Sequence, residues 1–372
     1  MMRVFICGDI VNRFSNRQFV GQQLQTIIQG ADYSIGNFEG TLPFDGIRGK
    51  DMVQDVSTLN SLKEAGFDLL LLSNNHIGDY GYKGFASTVN AIKEAGFDTV
   101  GSGFSYEEAY EPLIKEICGI KMGFINVCEA ICCLYKSSRQ RYGCAWTGAK
   151  ILESIIPTVK KEVDILIVLP HSGLELNPLP MAHTRELYRH YCDLGADVIV
   201  ASHPHIPQGV EDYDGKYIFY SLGNFYFPES EECDDTRMTN QSYSLLLEID
   251  GSHINYEVVY HRTNGMSVEL DTKPSFSFEH LTSLINSPEY PDKIKEQDRM
   301  VFERLVYNLY KDTVLGMARK RPFKERIKMA FRLMMPISNQ SYETLLKSFH
   351  KISQSETYIN LIDSAISQPE IE

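Results

Sequence analysis

The sequence predicts an α/β fold to about residue 265 followed by an all-helical region, with a domain over residues 1–268 and a helical remainder over 269–372. Three observations carry this expectation. Short apolar runs of strand length alternate with segments of helical periodicity. Polar residues able to bind metals or move protons gather where the apolar runs end. From about Ser275 strand-like runs disappear, and helical patterns take over at Asp298–Leu315, Lys324–Met335 and Tyr342–Ser353.

Taken in order, Arg3–Gly8, Tyr33–Phe38, Phe67–Leu72, Ile120–Asn126, Asp164–Leu169, Ala196–Ala201 and Lys216–Leu222 read as strands, most with a helical segment before the next. Gln241–Ile249 and His253–Tyr260 read as a hairpin around Asp250 and Gly251. After the third run, Phe85, Val89 and Ile92 recur at helical spacing until Gly96 stops them. The pentapeptide "EAGFD" occurs at Glu64–Asp68 and again at Glu94–Asp98, as two helix ends that lead into strands.

Composition bounds the function. The chain has 372 residues, 43% hydrophobic and 23% charged, enough to bury a sizeable core. Its net charge of -13 argues against a general nucleic-acid binder, which needs a basic surface. The start, "MMRVFICGDI", enters a strand-like segment with no leader pattern, and no run of 18 apolar residues occurs, so the chain reads as cytoplasmic. The eight cysteines read as reduced thiols, since the cluster from Cys128 to Cys144 has no paired zinc-ligand spacing. One stretch opposes the acidic balance: Arg319–Arg332 carries seven basic residues against Glu325, with Phe323, Ile327 and Phe331 on one helical face. Such a helix can dock on the core with its charges solvated, or lie on an anionic membrane surface and leave the chain peripheral to it.

The strand ends share one chemistry. The first run ends in "CGDI" with Asp9, the second in "GNFEG" with Asn37 and Glu39, and the third in "SNNHIGD" with Asn75, His76 and Asp79. Later runs end in "LPHSGLE", with His171 and Glu175, and in "ASHPH", with His203 and His205. Five runs delivering such groups at one type of position argue for one assembled site. Carboxylates, a carboxamide oxygen and imidazoles suit Mn, Zn or Fe better than the all-oxygen preference of calcium or magnesium. The donors exceed what one tetrahedral ion needs, so one or two divalent transition-metal ions are expected. Pro204 keeps "HPH" from turning helical, and an extended segment would point both imidazoles the same way.

The ordered set "GD", "NFEG", "SNNHIGDYG", "HSGLE" and "GADVIVASHPHIPQGVEDYDGKYIFYSLGNFYF" resembles the CapA family of capsule or poly-gamma-glutamate biosynthesis proteins, within the calcineurin-like metallophosphatase superfamily. The resemblance runs from the N-terminus to about residue 265 and implies a four-layer α/β/β/α metallophosphatase-like sandwich, here with a C-terminal all-helical extension. It implies Asp9, Glu39, Asn75, His171, His203 and His205 as metal ligands, with Glu39 at the bridging place, and His76 as proton donor to a leaving group. Asp79 either orients His76 or shapes the turn. Asn37, Glu175 and Asn224 are expected behind the ligands or against substrate, Glu175 either fixing an imidazole or standing solvated. The implied activity is a metal-dependent hydrolase of phosphoesterase type acting on a phosphoester or polymer-related substrate; a non-catalytic accessory role in a polymer-synthesis complex is the alternative. Two departures stand out: Val11 replaces the histidine of the superfamily "GDxH" pattern, and Glu39 replaces a bridging aspartate.

Overall fold

The computed structural model describes residues 1–14, 18–47, 52–129, 142–228 and 239–301. Met1–Ser287 forms one compact unit and Pro288–Glu372 a second. The expected helices beyond residue 301, and Arg319–Arg332 with them, lie outside the described residues.

The elements of the first unit begin with β1 Met2–Ile10, α1 Gln22–Gln29, β2 Tyr33–Phe38, α2 Ser57–Ala65, β3 Leu69–Leu71, α3 Gly81–Glu94 and β4 Asp98–Val100. They continue with β5 Ser102–Gly103, α4 Tyr106–Ala109, β6 Leu113–Ile117, β7 Ile120–Cys128, β8 Gly143–Cys144, α5 Leu152–Lys160 and β9 Ile165–His171. After these come α6 Ala182–Leu194, β10 Val198–Val200, β11 Val210–Tyr213, β12 Lys216–Phe219 and β13 Asn224–Tyr226. The last are β14 Gln241–Asp250, β15 His253–Asn264, β16 Ser267–Leu270 and α7 Phe278–Ile285, and α8 Tyr290–Val301 belongs to the second unit. The third expected strand is shorter than read, because Phe67 and Asp68 still belong to the turn after α2. Strands β4, β6, β11, β13 and β16 were not expected; at three to five residues each they are too short to show a periodicity.

One sheet runs β16-β15-β14-β1-β2-β3-β4, with β13 also on β1, and the other runs β11-β12-β10-β9-β7-β6. Side-chain alternation builds the layers. Val4 and Ile6 of β1 join Met122 and Phe124 of β7 and Ile165 and Ile167 of β9 in one core between the sheets. Phe5 and Cys7 point the other way, onto Leu24 and Ile28 of α1, Leu62 of α2 and Phe85 and Val89 of α3. Helices α5 and α6 pack on β9 and on β10 and β12, which completes an α/β/β/α sandwich.

The two "EAGFD" copies are the same device. Gly66 and Gly96 both take positive φ (99° and 77°) to end α2 and α3, and the chain then enters β3 and β4.

A bulge aims the first functional residue. Ile6 pairs Ile35 and Asp9 pairs Asn37, so Cys7 and Gly8 together face Gly36. The extra residue brings Asp9 level with both Asn37 on β2 and Asn224 on β13. A Cβ on Gly8 would lie 1.9 Å from the carbonyl oxygen of Gly223, so only glycine allows this approach of β1 to β13.

At the far edge, Glu211 of β11 accepts hydrogen bonds from Arg185 (2.7 and 3.0 Å), from Arg189 and from the Tyr220 hydroxyl (2.6 Å), fastening α6 to the sheet. Burial pushes its carboxyl up, but the bonds from Arg185, Arg189 and Tyr220 outweigh it and hold the pKa at about 2.

Gly8→Ala is expected to destabilise the fold by about 1–3 kcal/mol in denaturant unfolding, as for overpacking at a closed site. Because Glu211 has a folded pKa below its unfolded value of 4.5, its stabilisation is complete above that value and fades as pH falls toward about 2. Unfolding free energies of wild type and Glu211→Gln should therefore converge between pH 5 and pH 2, with the variant less stable at pH 7.

Candidate metal centre

In the first sheet β1, β2 and β3 run parallel, and in the second so do β7, β9 and β10; their carboxyl ends meet at one rim. Asn37 ties the rims together. Its amide donates to Asp9 Oδ1 at 2.7 Å and reaches His171 Nδ1, on the other sheet, at 3.2 Å. His171 Nε2 lies 2.8 Å from Asn75 Oδ1 and 3.2 Å from His203 Nδ1. His205 Nδ1 stands 2.9 Å from Asn224 Oδ1 and 3.4 Å from Asp9 Oδ2. Asp9, Asn37, Asn75, His171, His203, His205 and Asn224 thus come together in one cluster, buried except for Asn75 and His205, which are partly exposed.

Glu39 is the odd member. It is fully buried, its backbone N–H bonded to Ile10 O (3.1 Å) and its carbonyl to Gln54 Nε2 (3.0 Å), yet both carboxylate oxygens lack a hydrogen-bond donor among the described residues. Their nearest charged neighbours are His76 Nε2 at 3.7 Å and His171 Nε2 at 3.8 Å. Burial and the negative charge of Asp9 push the Glu39 carboxyl up to about 7. His205 moves the opposite way: burial favours the neutral ring, but Glu39 and Asp9 hold it charged, to about 10. Burial drives His171 well below the ordinary range and His203 down to about 4. Two buried carboxylates that stabilise one cation among neutral imidazoles have the electrostatics of a cation site.

The donors fit divalent metals. Asp9, Glu39 and His205 present atoms all within 4.8 Å of one another, and so do Glu175, His203 and His205. An unsatisfied buried carboxylate beside neutral imidazoles is the arrangement that a borderline divalent ion relieves.

His76 stands at the edge of the cluster. Its Nδ1 is 2.6 Å from Asp79 Oδ2, three residues on, so Asp79 orients the ring. Burial works against its charged form, but the bond to Asp79 and the charge of Glu39 prevail and raise its pKa. Asn74 builds the turn beneath: its Oδ1 accepts from the N–H groups of His76 (3.2 Å) and Ile77 (3.0 Å), and its amide donates to Phe38 O at 2.8 Å. The three polar residues that end β3 therefore divide the work. Asn74 shapes the turn, Asn75 faces the cluster, and His76 borders it.

The "HPH" segment departs from the extended geometry expected of it. His203 and His205 have φ of 101° and 62°, a region that non-glycine residues seldom adopt. This strained backbone, and not strand alternation, sets the rings 5.9 Å apart and tilted by 53°. Val11, at the departure from "GDxH", is fully buried and donates to Tyr226 O at 2.7 Å, so it is a core residue.

Sequence reasoning passed over Glu129 and Ser202. Glu129 follows β7, is 4% exposed, and has a carboxylate oxygen 3.9 Å from His203 Nε2. Its place at the end of a parallel strand was the available signal. The Ser202 hydroxyl, 3.0 Å from His171 Nδ1, sits beside a recognised histidine motif.

Fold and cluster together define a two-sheet α/β protein with a carboxylate and imidazole cluster whose donors could hold a divalent cation. The chain belongs to the family of the bacterial capsule synthesis protein PGA_cap, whose family model matches residues 5–229. It is 30% identical over 214 residues to the PGA biosynthesis protein CapA of Bacillus subtilis (strain 168), covering 56% of this chain and 56% of that protein. It is 30% identical over 232 residues to the capsule biosynthesis protein CapA of Bacillus anthracis, covering 59% of this chain and 56% of that protein. The matches thus span little more than half the length of these relatives. Among solved structures it is similar to the calcineurin-like phosphoesterase YfkN from Bacillus subtilis, at TM-score 0.39 and 14% identity, covering 79% of this chain and 98% of that one. Among the described residues no helix is long and apolar enough to cross a membrane.

Asn74→Ala removes two acceptor contacts and two donor contacts at the turn after β3. Denaturant unfolding should show a loss of about 2–3 kcal/mol, because buried backbone groups are left unsatisfied.

Proposed function

We propose that this chain is a metal-dependent phosphoester hydrolase that acts in the synthesis or modification of a capsular or poly-gamma-glutamate-like surface polymer. The observation that carries this reading is Glu39, whose buried carboxylate has no hydrogen-bond donor among the described residues and stands within 4.8 Å of ligand atoms on Asp9 and His205. The motif resemblance supports the phosphoesterase class, and family membership supports the biosynthetic setting.

Asp9, Glu39, Asn75, His171, His203 and His205 would hold one or two divalent ions. Such an ion supplies Lewis acidity toward a phosphoryl oxygen and makes water acidic enough to serve as nucleophile near neutral pH. Asn37 and Asn224 fix the ligands from behind, through their contacts with Asp9 and His205. His76, with Asp79 holding Nδ1 and with Nε2 3.7 Å from Glu39 at the edge of the site, would supply the proton to a leaving oxygen.

Elemental analysis of the purified protein should find one or two equivalents of Mn, Zn or Fe, with hydrolysis of an aryl phosphate monoester or diester. In His76→Ala the metal should stay while kcat falls about 10²- to 10⁴-fold, the usual range for losing a general acid. A protein that binds no metal and stays inactive after reconstitution with manganese or zinc would defeat this reading and favour an accessory role in a synthesis complex.

A further inference from the structure

Glu175 lies on the loop after β9, outside the strand ends that supply the other carboxylates. The loop is bound to the histidine segment at several points. Leu176 N–H donates to Pro204 O at 2.9 Å, with Leu176 itself at φ 59°, and Gly173, at φ 131°, lies against the Pro204 ring. The Asn177 amide donates to Glu175 O at 2.7 Å, and its own carbonyl accepts from Gln208 Nε2 at 2.7 Å. These ties hold an exposed carboxylate over two buried or part-buried imidazoles, with ligand atoms of Glu175, His203 and His205 all within 4.8 Å of one another. A merely solvated glutamate would not need its loop fastened to the prolyl residue between two imidazoles.

We infer that Glu175 is itself a metal ligand, forming with His203 and His205 a second carboxylate and imidazole triad on the solvent side of the site. The inference rests on the metal reading above and goes further by assigning a ligand. One carboxylate and two imidazoles form a donor set that suits Mn, Fe or Zn and leaves positions open. His205 also belongs to the triad with Asp9 and Glu39, so the two sets adjoin. The position that "GDxH" would fill from the first strand is closed, since Val11 is buried in the core.

Co²⁺ alone is the probe, titrated into the metal-free full-length protein in competition with a chelator while the visible absorption of the bound ion is recorded. Glu175→Gln and Glu175→Ala are expected to weaken one binding step at least tenfold and to change the band of that ion, because a ligand is lost. Glu175 is exposed, and thermal unfolding of the metal-free variants should match wild type. A weakened step with an unchanged band would mean that Glu175 acts only through an imidazole, and would overturn the assignment. So would variants that bind like wild type. Wild-type protein that takes up no Co²⁺ would overturn the metal reading itself, a failure distinct from the other two.

Discussion

Glu39 buries both carboxylate oxygens at the meeting of two sheets, with Asp9 beside it and imidazoles in place of hydrogen-bond donors. Removing a carboxylate from water without compensation costs several kcal/mol, so the arrangement persists only where positive charge can gather. His205 shows the response in its proton affinity, raised by both carboxylates against the pull of burial. Most other features of the site serve this one: Gln54 pins the Glu39 backbone, Asn37 holds Asp9, and Asn224 meets His205.

Parallel strands make such a concentration of polar groups compatible with an apolar sandwich. Alternating side chains of β1, β7 and β9 are consumed in the core between the sheets or in the layer beneath the helices. At the carboxyl ends that constraint lapses, and polar residues can turn toward the neighbouring sheet. The seam is held by short polar contacts, such as His171 with Asn37, Asn75 and Ser202. At the edge of the second sheet Glu211 of β11 confines its carboxylate between Arg185 and Arg189 of α6.

Backbone strain is present in the loops at the candidate site. His203, His205 and Leu176 take positive φ without the freedom of glycine, and all three lie on the segments that present Glu175 and the histidine pair. Strain of this kind costs of order 1–3 kcal/mol at each residue and survives where neighbouring contacts determine the conformation. Here those contacts include the bond from Leu176 to Pro204 and the approach of Gly173 to the prolyl ring. The imidazoles are therefore set by these backbone contacts, and Glu175 meets solvent.

Much of this was legible in the chain itself. Apolar runs of strand length, the glycine stops of the two "EAGFD" segments, and chemistry-bearing residues after each run all follow from local rules, because burial and turn geometry act over a few residues. Asp9, Glu39, Asn75, His76, His171, His203 and His205 could be picked out on that basis. Glu129 could not be singled out, because its place at a strand end is its whole local signal and its partner His203 arrives from another strand. Nor could the left-handed turns of the "HPH" segment, since Pro204 restricts its neighbours without choosing between extended and left-handed backbone. The sequence by itself determined which residue types stand at which strand ends. Tertiary structure alone decided that two separate sheets face their ends to one another, leaving Glu39 buried without a donor among the described residues, because that depends on packing between residues more than a hundred positions apart.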